Sequence, residues 1–308
     1  MVGRSQGGFV SDVRAARYSW GGDEFLFVEL AEEMSLQANF RVVAITKALR
    51  EQRLDGVLEI QPANASYQVR YDPDVIEPHA LLGRLQELEK QIGDAHDLAL
   101  PTRVLEIPVL YQDPWTTETL MRFRDAHQDP DSTDIEYAAR INGFSGVDEF
   151  IAAHSGSPWF TSMVGFVAGL PFKYQMVPRD RQIVVPKYLR PRTDTPKQTV
   201  GYGGCFSCIY SVRGAGGYQM FGITPAPIYD PTQTLPDFAD FMVFFRPGDI
   251  VKFTPIDRER YDAYLADVEA GTFRINARPV EFELQPSLDD PDGYNARLLA
   301  GLNDGGAA

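Results

Sequence analysis

The sequence predicts an α+β protein in which a small mixed layer of helices and strands precedes an antiparallel β-barrel. Three observations carry that expectation. Residues 17–111 alternate strand and helix signals in the order βαββαβ. From Trp159 to about Glu283 helical periodicity nearly vanishes, and short runs rich in Val, Ile, Phe and Tyr alternate with Gly and Pro turns, the pattern of a closed or nearly closed antiparallel barrel. Between the two, residues 112–156 return to helical spacing. At 308 residues the chain is long enough for a substantial core.

Taken in order, residues 1–16 read as a flexible tail, "DEFLFVELA" (23–31) as a strand, and "SLQANFRVVAITKALREQRL" (35–54) as an amphipathic helix begun by Ser35. "GVLEIQPA" and "SYQVRYD" form two short strands around the turn at Asn64, "HALLGRLQELEKQI" follows Pro78 as a second helix, and "TRVLEIPVLY" closes the segment as a strand. Strands and helices in this order define a ferredoxin-like, or split-βαβ, domain over 17–111. In the connector, "DPWTTETLMRFRDAH", "STDIEYAARINGF" and "GVDEFIAAHSG" read as three helices, with Thr116 and Ser132 as candidate N-caps. The barrel spans 157–285, interrupted by a helix near 257–271, and 286–308 reads as a polar, loosely held C-terminal tail.

Composition excludes several functions. The formal net charge of −14 disfavours a nucleic-acid backbone or an anionic membrane as partner. No apolar run reaches membrane-spanning length and the first sixteen residues lack the apolar core of an export signal, so a reducing, cytoplasmic setting is expected. Both cysteines lie in "GYGGCFSCIYS" (201–211), at C-x-x-C spacing. A closed zinc site needs four ligands, and the four histidines, His79, His96, His127 and His154, are distant in sequence. Cys205 and Cys208 therefore read as reduced fillers of a packed strand, and no metal is expected. Phosphate-binding, dinucleotide and nucleophile-elbow motifs are all missing, so ATP chemistry would belong to another chain. His154, in "HSGSPW", reads as a helix-terminal partner of the backbone dipole.

Two stretches look chemical. Gly201, Gly203, Gly204, Gly214, Gly216 and Gly217 cluster in the barrel, either to present backbone N–H groups to an anion or to make tight hairpins. Just before them Lys187, Arg190 and Arg192 reverse the sign of an acidic protein. Such a stretch either receives a carboxylate or merely offsets nearby acids.

Several segments, in order, resemble one family. "RYSWGGDEFLFVELAEE", "GVLEIQPANASYQVRYDPDVI" and "LEIPVLY" are similar to the family containing a 5-oxoprolinase component, a sporulation kinase inhibitor, and proteins labelled allophanate hydrolase subunit 1. "GFVAGLPF" and "GGYQMFGITP" match its glycine-rich segments, with Ala168 in place of a proline and Ile223 in place of an arginine. "YQDPWTTETLMRF", "DIEYAARINGF", "KYLRPRT" and "PGDIVKFTPIDRERYDAYLADVEAGTF" further resemble the first half of the carboxyltransferase domain of urea carboxylase.

That resemblance implies a ferredoxin-like domain followed by a cyclophilin-like β-barrel. It also implies a carboxyltransferase-type subunit of a heteromeric, biotin-dependent carboxylase acting on urea or another small amide-like compound. The alternatives are a subunit of an ATP-dependent 5-oxoprolinase-type lactam or amide hydrolase, and a regulatory inhibitor of a histidine kinase. In the first reading Lys187, Arg192 and Tyr210 serve catalysis, and Gly203, Gly204, Gly216, Gly217, Tyr218 and Gln219 bind substrate. No cofactor is held covalently: carboxybiotin would be presented, and ATP consumed, by partner chains. The expected partners are a homologous second cyclophilin-like subunit and either a biotin carboxylase with its carrier or a lactam-utilisation subunit.

Overall fold

A computed structural model describes residues 15–93 and 98–303, which fall into two compact units divided after Ala95. Most of the expected N-terminal tail, His96 and the last five residues lie outside the described residues.

The first unit contains β1 (Arg17–Trp20), β2 (Phe25–Glu29), α1 (Leu36–Gln52), β3 (Val57–Pro62), β4 (Ser66–Tyr71) and α2 (Pro78–Ile92). Its four strands form one antiparallel sheet in the order β1-β2-β4-β3. Alternation places Leu26 and Val28 of β2 and Tyr67, Val69 and Tyr71 of β4 on one buried face. The helices cover that face with stripes at spacings of three and four, Val42, Ile45 and Leu49 from α1 and Leu81, Leu85 and Leu88 from α2. Ser35 caps α1 by accepting from the Ala38 N–H at 3.0 Å, and Glu77 caps α2 ahead of Pro78.

The order in this unit is thus ββαββα, which corrects the expected βαββαβ. Its last strand, β5 (Ala99–Tyr111), belongs to the second unit. The reason lies in β5 itself: Val104, Leu105, Ile107 and Val109 are all fully buried. A strand apolar on both faces requires cover on both, which a sheet with helices on one face does not provide.

The second unit continues with α3 (Pro114–Phe123), α4 (Asp134–Ile141), α5 (Val147–Gly156), β6 (Pro158–Val164), β7 (Pro171–Gln175), β8 (Arg192–Thr195), β9 (Thr199–Gly203), β10 (Phe206–Ile209), β11 (Gly214–Gly216), β12 (Gln219–Ile223), β13 (Ile250–Pro255), α6 (Arg258–Glu269), β14 (Ala277–Glu283), α7 (Leu284–Asp289) and α8 (Pro291–Asn303). Eight strands form one sheet in the order β12-β9-β10-β7-β6-β13-β5-β14. The sheet curls until β12 also meets the end of β5 through Gly222↔Tyr111 and Ile223↔Leu110. β8 and β11 form a separate two-stranded ribbon.

Two expectations are corrected here. The sheet is mixed rather than wholly antiparallel, because β13 runs parallel to β5 from Ile250↔Val104 to Pro255↔Val109. Residues 286–303, expected as a loose polar tail, are largely helical and bury Ser287, Tyr294 and Leu302. The sparse apolar residues of "PDGYNARLLAGLN" conceal the fit, since Asn295 is anchored by donating to the Met176 carbonyl at 2.6 Å. Inside the curled sheet, Trp159, Tyr202, Phe221, Val251 and Phe253 form the centre of the core.

Candidate functional site

The chemical-looking residues converge only partly. A pocket of about 290 Å³ in the second unit is lined by Lys187, Tyr210, Gly216, Gly217 and Tyr218, together with Phe166, Leu170, Phe172, Tyr188, Pro191, Cys208 and Ala215. A groove of about 600 Å³ runs beside α8, but its Arg181–Asp292 pair, at 2.8 Å, and its Gln175–Ser157 pair, at 2.9 Å, already bond to one another. The smaller pocket gathers a cation, three tyrosines and further apolar lining, which makes it the candidate.

The glycines explain how the phenols reach it. A Cβ on Gly216 would lie 2.3 Å from the Tyr210 hydroxyl, and one on Gly203 would lie 2.5 Å from the Tyr218 ring. Both tyrosines lie flat against bare backbone, and any larger residue would displace them. Gly203 acts here as clearance and does not line the pocket. Nor does Gly204: its N–H donates to the Val185 carbonyl at 2.7 Å and its carbonyl accepts in return at 3.0 Å, so it is committed to a bridge.

Lys187 is exposed at the rim, its Nζ 5.2 Å from the centre of the Tyr218 ring. Arg192, expected to share its anion, is instead fully buried in β8 and does not line the pocket. Its guanidinium stacks 4.3 Å from the centre of the Tyr188 ring and donates to Thr195 Oγ1 at 3.3 Å, while Nη1 has no partner. Arg190 donates to the Asp125 carbonyl at 3.1 Å. Three cations spaced by two and three residues thus serve three different environments.

Gln219 is also withdrawn from the pocket. It is fully buried, its Oε1 2.8 Å from His127 Nε2 and its Nε2 donating to the Pro186 carbonyl at 2.9 Å. It belongs to a buried network that sequence reasoning missed. Asp134, at the start of α4, accepts from the Tyr188 hydroxyl at 2.5 Å and from the Met220 N–H at 2.6 Å. His127 Nε2 lies 3.5 Å from the same carboxylate. Burial pushes the Asp134 carboxyl up, opposed by these donors and by Arg192. Through Tyr188 the network backs one wall of the pocket. No local motif announces it, because His127, Asp134, Tyr188 and Gln219 are scattered over ninety residues.

Burial also raises the Tyr210 and Tyr218 phenols above their ordinary value, so both present neutral O–H groups at physiological pH. Cys208 lines the pocket from β10, its thiol pushed up to about 12 by burial and thus unreactive. Cys205 occupies the β9–β10 turn, not the strand, and both cysteines are free. No cluster of three or more His, Cys, Asp or Glu side chains suited to a metal occurs among the described residues. His154 is no dipole partner: fully buried, it is pulled down to about 3 by desolvation and pairs through Nδ1 with the Tyr111 hydroxyl at 2.8 Å.

Fold and pocket together describe a mixed α/β protein with an aromatic-lined pocket in its second unit. The chain belongs to the carboxyltransferase domain, subdomain C and D family, whose model matches residues 16–239. It is 29% identical over 251 residues to a 5-oxoprolinase component of Bacillus subtilis, covering 79% of this chain and 94% of that protein. It is 25% identical over 270 residues to urea amidolyase of Lachancea kluyveri, covering 86% of this chain but spanning only 15% of that protein's length. The crystal structure of the K. lactis urea amidolyase shares its fold, with a TM-score of 0.78 at 22% identity over 94% of this chain and 18% of the other. No helix among the described residues is long and apolar enough to cross a membrane.

Proposed function

We propose that this chain is the carboxyltransferase-type component of a multi-chain, biotin-dependent carboxylase acting on urea or another small amide-like compound, and that the aromatic pocket receives the reacting group. The observation that carries the reading is the meeting of Lys187, Tyr210, Tyr218 and the Gly216–Gly217 backbone in one pocket within the family-matched region. CO2 transfer develops negative charge on a carboxylate and on the ureido or amide oxygen of its donor. A cation at the rim and neutral phenol donors within answer that need. The residues suit a flat ureido group, and carboxybiotin, when presented by a partner chain, would supply the CO2. ATP would be consumed by a partner. In this reading the curled sheet is the family's cyclophilin-like barrel, and Arg192 holds Tyr188 and Tyr210 in place instead of touching substrate.

A second reading, a component of a 5-oxoprolinase-type lactam hydrolase, is favoured by the likeness that extends over 94% of the B. subtilis protein. The same pocket would then hold a lactam. These likenesses lend nothing to the kinase-inhibitor alternative.

Lys187→Ala in the reconstituted complex tests the site. Because the ammonium is exposed and screened, kcat/KM is expected to fall about ten- to a hundredfold with folding intact, and Lys187→Arg to recover part of it. Turnover of Lys187→Ala equal to the parent would place the chemistry elsewhere.

A further inference from the structure

Phe166 combines three properties that the second unit does not reconcile by itself. It lies in the loop between β6 and β7, where Gly165 N–H donates to the Leu170 carbonyl at 3.0 Å and Leu170 N–H to the Val167 carbonyl at 3.2 Å. Its φ is +70°, in the left-handed region that a side chain of this size strongly disfavours. Among the described residues the other non-glycine positions with positive φ are Arg53, Gln112, Gln198 and Gln233, all polar and flexible. Its ring is 73% exposed, the most exposed large apolar side chain described, yet it lines the pocket beside Leu170, Phe172 and Tyr218.

A bulky apolar residue in a strained backbone is normally held there by packing, but a ring this exposed gains little from its own chain. Glycine or asparagine would make the same turn without strain. The offsetting interaction must come from something that enters the pocket. A phenyl face offers dispersion and quadrupole contact to a flat, electron-poor surface, whereas its negative face repels a compact anion.

Resting on the reading of this pocket as the substrate site, we infer that Phe166 is a ligand-contacting residue that selects for a planar face. Its ring covers one flat side of an amide or ureido group, while Lys187 at the rim holds the anionic end. Specificity is then divided, with shape read by an aromatic on a strained loop and charge read by a lysine on a different segment. The strained backbone keeps the ring over the opening before the ligand arrives, which lowers the ordering required on binding.

The full chain is titrated calorimetrically with biotin and, separately, with 5-oxoproline, and the melting temperature of each variant is recorded. Wild type is expected to bind at least one probe, and Phe166→Gly to bind it about tenfold more weakly while melting at the same or a higher temperature. Phe166→Tyr is expected to bind like wild type. Phe166→Gly binding within twofold of wild type, while Lys187→Ala is impaired, would overturn this inference alone. Failure of wild type to bind either probe, or undiminished binding by Lys187→Ala, would overturn the pocket reading and this inference with it. A lowered melting temperature with unchanged affinity would mark Phe166 as structural, and loss of a companion chain with unchanged affinity would mark it as a docking residue. Either result also refutes the inference.

Discussion

Lys173 is an amine placed in the interior of the second unit with no ion pair among the described residues. It is fully buried, its Nζ 3.5 Å from the Pro171 carbonyl and 5.3 and 5.6 Å from the centres of the Phe245 and Phe253 rings. Its cross-strand neighbours Thr161 and Ser207 present buried hydroxyls with no partner. Desolvation pulls the ammonium from 10.5 down to about 7, against weak support from Cys208. The folded state therefore releases this proton more readily than the unfolded state. The penalty is fully present below about pH 7, shrinks as pH rises towards 10.5, and is absent above that. Lys173→Met is expected to raise stability at pH 6 by a few kcal/mol and to flatten the rise between pH 7 and 10, as chemical denaturation across pH would show. Equal stability of the two proteins at pH 6 would refute it. In sequence, Lys173 is indistinguishable from a surface lysine on a half-exposed strand. Nor does sequence separate Arg190, exposed in the bend ahead of β8, from Arg192, buried as the first residue of that strand.

At the scale of elements, α4 shows how a helix end is tied to the pocket wall. Thr133 and Glu136 form a capping box, and Asp134 in the first turn reaches out of the helix to Tyr188 and to the backbone of β12. Asp134→Ala would leave a buried phenol and a buried N–H without an acceptor. A loss of about 2–4 kcal/mol is expected, measurable by urea unfolding. Asp134→Asn should recover part of this, because the amide oxygen still accepts one bond; a full loss in both variants would mean that the charge itself is required. The capping residues are legible in "STDIEYAARINGF", although Thr133, not Ser132, is the cap. The long-range reach of Asp134 is not, because nothing local specifies what a first-turn carboxylate meets. β5 teaches the same lesson: its strand character follows from its composition, but its neighbours follow from which faces remain to be covered.

For the whole molecule, the family match extends over residues 16–239, and the chain spans only 15% of the length of its urea amidolyase relative. Purification from its native source is expected to recover a companion barrel-type subunit. Recovery of a homo-oligomer alone, at low and high salt, would refute that assembly. The two regimes of periodicity, the helices between residues 112 and 156, and the clustering of lysine, tyrosine and glycine before β12 were all present in the order of residues. Each depends on neighbours within a few positions: side-chain period, turn chemistry and capping act locally. Strand partnership, the parallel β5–β13 pair, the helical end of the chain and the inward turn of Arg192 and Gln219 were decided only by tertiary structure. They are settled by burial and by hydrogen-bond satisfaction between segments far apart in the chain, 170 residues in the case of Glu106 and Asn276. Local sequence determines what each segment can form, whereas the competition for a shared interior determines which side chains face the pocket.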